Sequence, residues 1–189
     1  MDIEQLKDQL TKCEECKGIL PFNPNPIFQF SKKSKILIAG QAPGRITHEK
    51  GRPFDDPSGN RLLEWLGVTR EQFYNEDNFA IVPMSFCFPG SAKGGDLPPV
   101  RKCAEIWRRQ ILDQLSNVSL TLLIGKYAID WHVNNKLSLT DNIKEWLRSP
   151  SSTIPLPHPS PRNNIWLAKN QWFKNEVLPE LKLMVQDTL

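Results

Sequence analysis

Four cysteines, one histidine set among prolines and two glycine-rich turns are the residues of this chain with chemistry to offer. Cys13 and Cys16 form a Cys-x-x-Cys pair, and Cys87 and Cys103 follow, separated by fifteen residues. Such a pair is either redox-active or half of a metal site. Four soft thiolates suit zinc or an iron–sulfur cluster, and spacing alone does not separate the two. Buried cysteines acting as small apolar residues are the alternative.

The first glycine-rich turn is Gly40-Gln-Ala-Pro-Gly44, directly after the apolar run Lys35–Ala39. It is no phosphate-binding P-loop, because no Gly-Lys-Ser/Thr follows, and it is not the dinucleotide fingerprint. The second is Gly51-Arg-Pro-Phe54, followed by Asp55-Asp-Pro-Ser-Gly59. Asp56 stands where a side chain either caps a helix starting near Ser58 or takes part in chemistry. Near the far end runs Pro155-Leu-Pro-His-Pro-Ser-Pro-Arg162, which holds His158 in a stiff segment. A histidine there is poised to exchange a hydrogen bond near neutral pH.

Elements must position these groups. Residues 2–12 carry apolar positions at helical spacing. Four short apolar runs lack polar alternation: Lys35–Ala39, Phe79–Val82, Leu120–Ile124 and Thr153–Leu156. Such runs suit parallel strands covered on both faces. Helical patterns lie between them, over Ser58–Gly67, Val100–Leu115, Lys126–Asn134 and Thr140–Arg148. A last one, Trp172–Val185, is expected to be interrupted or kinked at Pro179. This alternation predicts a three-layer α/β/α fold around a central, mainly parallel four-stranded sheet. In such sheets ligands bind beyond the carboxyl ends of the strands, which makes Gly40–Gly44 a site loop by topology.

The 189 residues predict one domain, 1–189, at about 150 residues per domain. Apolar residues at 39% and charged residues at 24% exclude a disordered or collagen-like chain. Sixteen prolines, gathered at 21–26, 83–99 and 150–161, point to long ordered loops. The net charge of +3 permits a polyanion partner without requiring one. No apolar run is long enough for a membrane helix, and the N-terminal stretch lacks the apolar core of a signal peptide. The cytoplasm is the expected compartment, where the cysteines would not pair as disulfides. A monomer is expected.

The motifs resemble those of the uracil-DNA glycosylase superfamily. They are most similar to its iron–sulfur group, family 4, whose pattern is Gly-Glu-Ala-Pro-Gly followed by Gly-x-Pro-Phe. Gly40 to Gly51 keeps that register without a gap. The resemblance runs from Cys13 to the His158 loop. It implies a [4Fe–4S] cluster on Cys13, Cys16, Cys87 and Cys103, with zinc as the alternative. It implies Phe54 as a platform for a base extruded from DNA and His158 as the donor to the base O2. Ser160 would meet phosphate, and Arg162 stands where relatives present a wedge into the helix. Arg45, Arg52 and Lys93 are further candidates for the DNA backbone.

Two departures from the pattern matter. Gln41 replaces the family's Glu, and Ala42 stands where other uracil glycosylases carry an Asp. Gln41 can orient a water but cannot take its proton. Asp56 lies near a functional Asp of the family 5 relatives, and Asp55, His48 and Glu49 are its neighbours. Pro83 occupies the position of the family's uracil-reading Asn and offers no side-chain donor. Ser85 or Asn60 are then candidates for the base edge, beside Ala42. The resemblance implies a monofunctional DNA-repair glycosylase acting on uracil or another deaminated or damaged base. The competing readings are a nucleic-acid-binding protein with this fold and no excision, and a small-molecule nucleoside hydrolase.

Overall fold

The computed structural model describes residues 2–189. Asp2 opens α1 (Ile3–Thr11) with a capping box, its side chain accepting from the Gln5 N–H while Gln5 accepts from the Asp2 N–H. A proline-rich loop leads to β1 (Ile36–Ala39), then α2 (Arg45–Lys50), α3 (Pro57–Leu66), α4 (Arg70–Phe73) and β2 (Phe79–Ile81). A small antiparallel hairpin follows, β3 (Ser91–Ala92) with β4 (Gly95–Asp96). Next come α5 (Arg101–Leu112), β5 (Leu120–Ile124), α6 (Lys126–Val133), α7 (Leu139–Arg148) and β6 (Thr153–Leu156). A tight turn at Pro161–Asn163, α8 (Asn164–Lys169) and α9 (Leu178–Thr188) complete the order.

The expected architecture is present. Four strands form one sheet in the order β2-β1-β5-β6, and all three pairings are parallel. Odd and even positions of each strand serve opposite layers, as the period of two demands. Ile36, Ile38, Leu122 and Ile154 pack with Leu62 and Trp65 of α3, Trp146 of α7 and Leu181 of α9. On the other face, Leu37 and Ala80 meet Leu6 and Leu10 of α1 and Trp107 and Ile111 of α5. Ala39 and Leu123 meet Ala128 and Ile129 of α6 on that same side. Pro155 sits inside β6 because β6 is an edge strand and pairs only with β5.

The end of α3 follows its sequence signal. Gly67 ends α3 at φ 68, a left-handed cap that glycine takes without penalty. At Pro179 the α-helical pattern is interrupted as expected: a single wide turn at Phe173–Val177 precedes it, and α9 starts at Leu178 in continuous helical backbone.

The end of β2 depends on a buried cation. Arg108 of α5 is fully buried, and Nη1 donates to the Val82 carbonyl at 2.9 Å and the Pro83 carbonyl at 3.3 Å. Nε and Nη2 both approach His132 Nε2, at 3.2 and 2.6 Å. The guanidinium can only donate, so Nε2 accepts and His132 carries its proton on Nδ1. Trp131 covers the guanidinium at 5.0 Å. No carboxylate pairs with Arg108 among the described residues, and burial lowers its pKa to about 9. Burial, then the Arg108 charge, pushes His132 down to about 3.

His132 therefore stays neutral in the folded protein where the unfolded chain, with an ordinary value near 6.5, takes up a proton. The stability present above about pH 6.5 is lost as pH falls toward about 3. Between pH 7 and 5 the free energy of unfolding in urea should drop by roughly 1–2 kcal/mol from this group. In His132→Gln, whose amide oxygen still accepts from Arg108, that part of the drop should vanish.

Candidate functional site

A cavity of about 500 Å³ opens beyond the carboxyl ends of the strands. Its floor is the turn that leaves β1. Gln41 and Ala42 are half-buried and line it, and Gly44 starts α2. The Met84 N–H donates to the Gly40 carbonyl at 2.9 Å and the Ser85 N–H to the Gln41 carbonyl at 3.1 Å. The segment after β2 thus extends the parallel pairing and fixes the turn.

Phe54 forms one wall, and its backbone is unusual. It has φ 52, a left-handed conformation that costs a non-glycine residue roughly 1–3 kcal/mol and collects at functional sites. Gly59 allows it, since a Cβ there would run into the Phe54 carbonyl, and the ring lies on Gly40, where a Cβ would sit 3.4 Å away. Phe73 packs edge-on against the ring, with centroids 6.3 Å apart. The Tyr74 hydroxyl donates to the Pro53 carbonyl at 3.0 Å, which fixes the preceding residue.

His158 faces this wall from the loop after β6. Asn163 Nδ2 donates to its carbonyl, and Ser160 caps the following turn by accepting from the Arg162 N–H at 3.2 Å. Burial lowers the His158 pKa most strongly. The charges of Asp56 and Asp96 partly oppose that, and Arg162 adds to it. The imidazole is thus neutral at pH 7. Ser160 and Arg162 also line the cavity.

Asp56 does two things. Its Oδ1 accepts from the Gly59 N–H at 2.8 Å and caps α3, and its Oδ2 accepts from Thr47 Oγ1 at 3.5 Å. It lines the cavity while serving as the cap. The hairpin β3–β4 adds a second carboxylate that the sequence reading missed. Asp96 of β4 lines the cavity, and Ser91 Oγ donates to its Oδ1 at 2.8 Å. The one available signal was an acid after a glycine pair within a proline-bounded loop.

Other expected residues lie elsewhere. Ser85 is buried beside the cysteines rather than in this cavity, with its hydroxyl near the Cys87 carbonyl, so it is not placed to contact a base. Asn60 is exposed on α3 and accepts from Arg70. Asp55 pairs with Arg70 at 2.7 Å, which holds its carboxyl below the usual range. His48 packs with Phe22 and Phe88. Glu49, Arg45 and Lys93 are exposed and do not line the cavity. The Arg52 guanidinium stacks on Tyr74 at 3.4 Å.

The four cysteines converge on a second, small cavity with Leu10, Phe86 and Trp107. Cys13 is half-buried, and the other three are buried. Burial pushes the Cys87 thiol up to about 12 and the Cys103 thiol up to about 11. The Phe86 N–H points at Cys103 Sγ at 3.5 Å. Trp107 Nε1 is buried with no hydrogen-bond partner among the described residues. Among those residues no three His, Cys, Asp or Glu side chains stand so as to hold a single metal ion.

Comparison with known proteins identifies the family of the chain. The sequence model of the uracil DNA glycosylase superfamily matches residues 27–182. The chain belongs to that superfamily. It is 31% identical over 107 residues to the type-4 uracil-DNA glycosylase of Archaeoglobus fulgidus, covering 55% of this chain and 50% of that protein. With the type-4 uracil-DNA glycosylase of Sulfurisphaera tokodaii it shares 26% over 125 residues, 64% of this chain and 54% of the relative. With that of Thermotoga maritima it shares 26% over 165 residues, 84% and 81% of the two chains. The match thus spans about half the length of two of these relatives and most of the third.

In this superfamily member the Phe54 wall rests on the absence of a side chain at Gly59. Gly59→Ala should force the Phe54 carbonyl away and destabilise the fold by about 2 kcal/mol or more. A control, Gly94→Ala, meets nothing within 4 Å and should leave the melting temperature within a degree or two.

Proposed function

We propose that this chain is a DNA glycosylase that hydrolyses the N-glycosidic bond of uracil or another deaminated or damaged base flipped out of DNA. The observation that carries the reading is an aromatic wall, Phe54, and a neutral histidine, His158, lining one cavity at the carboxyl ends of a parallel sheet. A flipped base stacks on Phe54, and Ala42 leaves room beside it. His158 donates to the base oxygen as negative charge develops there. A neutral imidazole does this without giving up its proton. Gln41 orients the attacking water, and the Asp56 carboxylate faces the sugar as positive charge grows on it.

Ser160, Arg162, Arg45, Arg52 and Lys93 are the proposed phosphate contacts. Arg162 reaches the rim of the same cavity, which supports a role beside the extruded nucleotide. The reading sets the protein at work on DNA in the cytoplasm. A second reading, DNA binding without excision, draws on Gln41 and Pro83, which stand where an acid and a base-reading amide are expected.

The proposed cofactor is a [4Fe–4S] cluster held by Cys13, Cys16, Cys87 and Cys103, with zinc as the alternative. Three features of the chain support a cluster: four soft donors around one cavity, a backbone N–H aimed at a cysteine sulfur, and an unpartnered indole N–H in the same wall. When bound, the cluster supplies a cross-link between the N-terminal segment and the loop before α5, and positive iron that keeps buried thiols ionised.

Oligonucleotides carrying uracil, hypoxanthine or xanthine, single- and double-stranded, decide between the readings through abasic-site formation. Release of one of these bases is expected. Phe54→Ala and His158→Ala should each lower the single-turnover rate about 100-fold. DNA binding with no release from any substrate would establish the second reading. Cys13→Ser should lose a broad brown absorbance and its iron, whereas colourless protein with stoichiometric zinc would overturn the cluster.

A further inference from the structure

We propose that Asp96, carried by the hairpin β3–β4, is the residue that takes the proton from the hydrolytic water. The inference rests on the glycosylase reading and assigns the one role which that reading leaves open. A hydrolysis needs an acceptor for a water proton, and Gln41 has none to offer. The cavity is lined by only two carboxylates among the described residues, Asp56 and Asp96. Asp56 is committed to its cap, with Oδ1 held by the Gly59 N–H and Oδ2 within reach of the Thr47 hydroxyl. An acceptor so engaged is a poorer base, because protonation would weaken the charge-assisted cap on α3.

Asp96 is placed differently. Ser91 Oγ donates to Oδ1 from across the hairpin at 2.8 Å, and Oδ2 has no protein partner among the described residues. No ion pair engages it among the described residues. Oδ2 is turned to the Gly40–Gly44 turn: a Cβ on Gly44 would lie 3.3 Å from Asp96 Oδ2 and 4.0 Å from Asp56 Oδ2. The adjoining residue of the hairpin strand also reaches Gln41, since Gln41 Nε2 approaches the Leu97 carbonyl at 3.5 Å. Gln41 and Asp96 therefore flank one spot on the cavity floor. Two residues divide there what a single glutamate would do, Gln41 orienting the water and Asp96 accepting its proton.

The step balances. The water oxygen bonds to C1′ of the deoxyribose while the bond from C1′ to the base nitrogen breaks. The electron pair of that bond leaves with the base, whose charge His158 meets. One water proton passes to Asp96 Oδ2 and from there to solvent, which returns a proton to the base. The hairpin itself is held over the cavity by packing of the Arg162 guanidinium on Gly95, where a Cβ would collide with it. The acceptor and the loop that carries His158 are thereby mechanically joined.

Single-turnover release on the best substrate tests the assignment. Asp96→Asn should fall about 100-fold or more, with affinity for uncleavable abasic-analogue DNA and the melting temperature unchanged. Asp96→Gly should regain part of the rate in added formate, which a purely structural role would not produce. An active wild type whose Asp96→Asn variant keeps the full rate overturns the assignment alone. A wild type that releases none of the bases overturns the glycosylase reading and the assignment with it.

Discussion

The close approach of the Phe54 segment to Gly40 and Gly59 is the constraint on which the site depends. Phe54 sits in a left-handed conformation that an aromatic residue avoids, and nothing local compensates it. It persists because neighbours over-determine it: the ring lies on Gly40, the carbonyl fills the space of an absent Gly59 side chain, and Phe73 and Tyr74 brace the ring and the chain before it. The same turn delivers Asp56 to the start of α3. One strained residue thus couples the end of β1, the first helix of the site and the flat wall. Strain held this way keeps an aromatic face fixed before any ligand arrives, which lowers the entropy to be lost on binding.

The electrostatics follow from that frame. The cavity holds two carboxylates, one neutral imidazole and one guanidinium at the rim. In the glycosylase proposed above, negative charge beside the floor would favour a sugar that turns cationic, and a neutral donor on the far wall would favour a base that turns anionic. The two needs are opposite, and the fold meets them by drawing the acids from the β1 side and hairpin and the histidine from the loop after β6. Burial keeps His158 neutral although two carboxylates pull the other way.

Much of this was legible in the sequence, for reasons that can be named. Largely apolar runs marked all four sheet strands within a residue, because a parallel strand covered on both faces buries nearly every side chain. Gly67 and the Asp56 cap marked both ends of α3. Prolines around His158 marked a stiff loop. The short elements were not legible. α2, α4 and α8 span only four to six residues and show no full helical period, and β3 and β4 are two residues each. Asp96 was missed for that reason, since a two-residue strand has no pattern and its value comes from where the hairpin folds. Arg108 was missed because its charge reads as surface, while its worth lies in carbonyls that only the fold brings to it.

Pro83 shows how a backbone can remove a function that a side chain would otherwise perform. It lines the cavity with a ring that neither donates nor accepts. Its carbonyl is the one polar group left, and it accepts from Arg108 at 3.3 Å in the interior. The N–H groups on either side are also spent, Val82 on the Ile38 carbonyl and Met84 on the Gly40 carbonyl. This stretch of wall therefore presents shape and no hydrogen-bond code. Under the proposed reading, discrimination between bases falls to His158, the backbone of the Gly40–Gly44 turn and the fit against Phe54. A pocket read mainly by shape rejects a slightly different base by only about 1–3 kcal/mol, whereas one built around a paired amide rejects far more sharply. In the glycosylase proposed above, such a wall would suit a set of related bases rather than one.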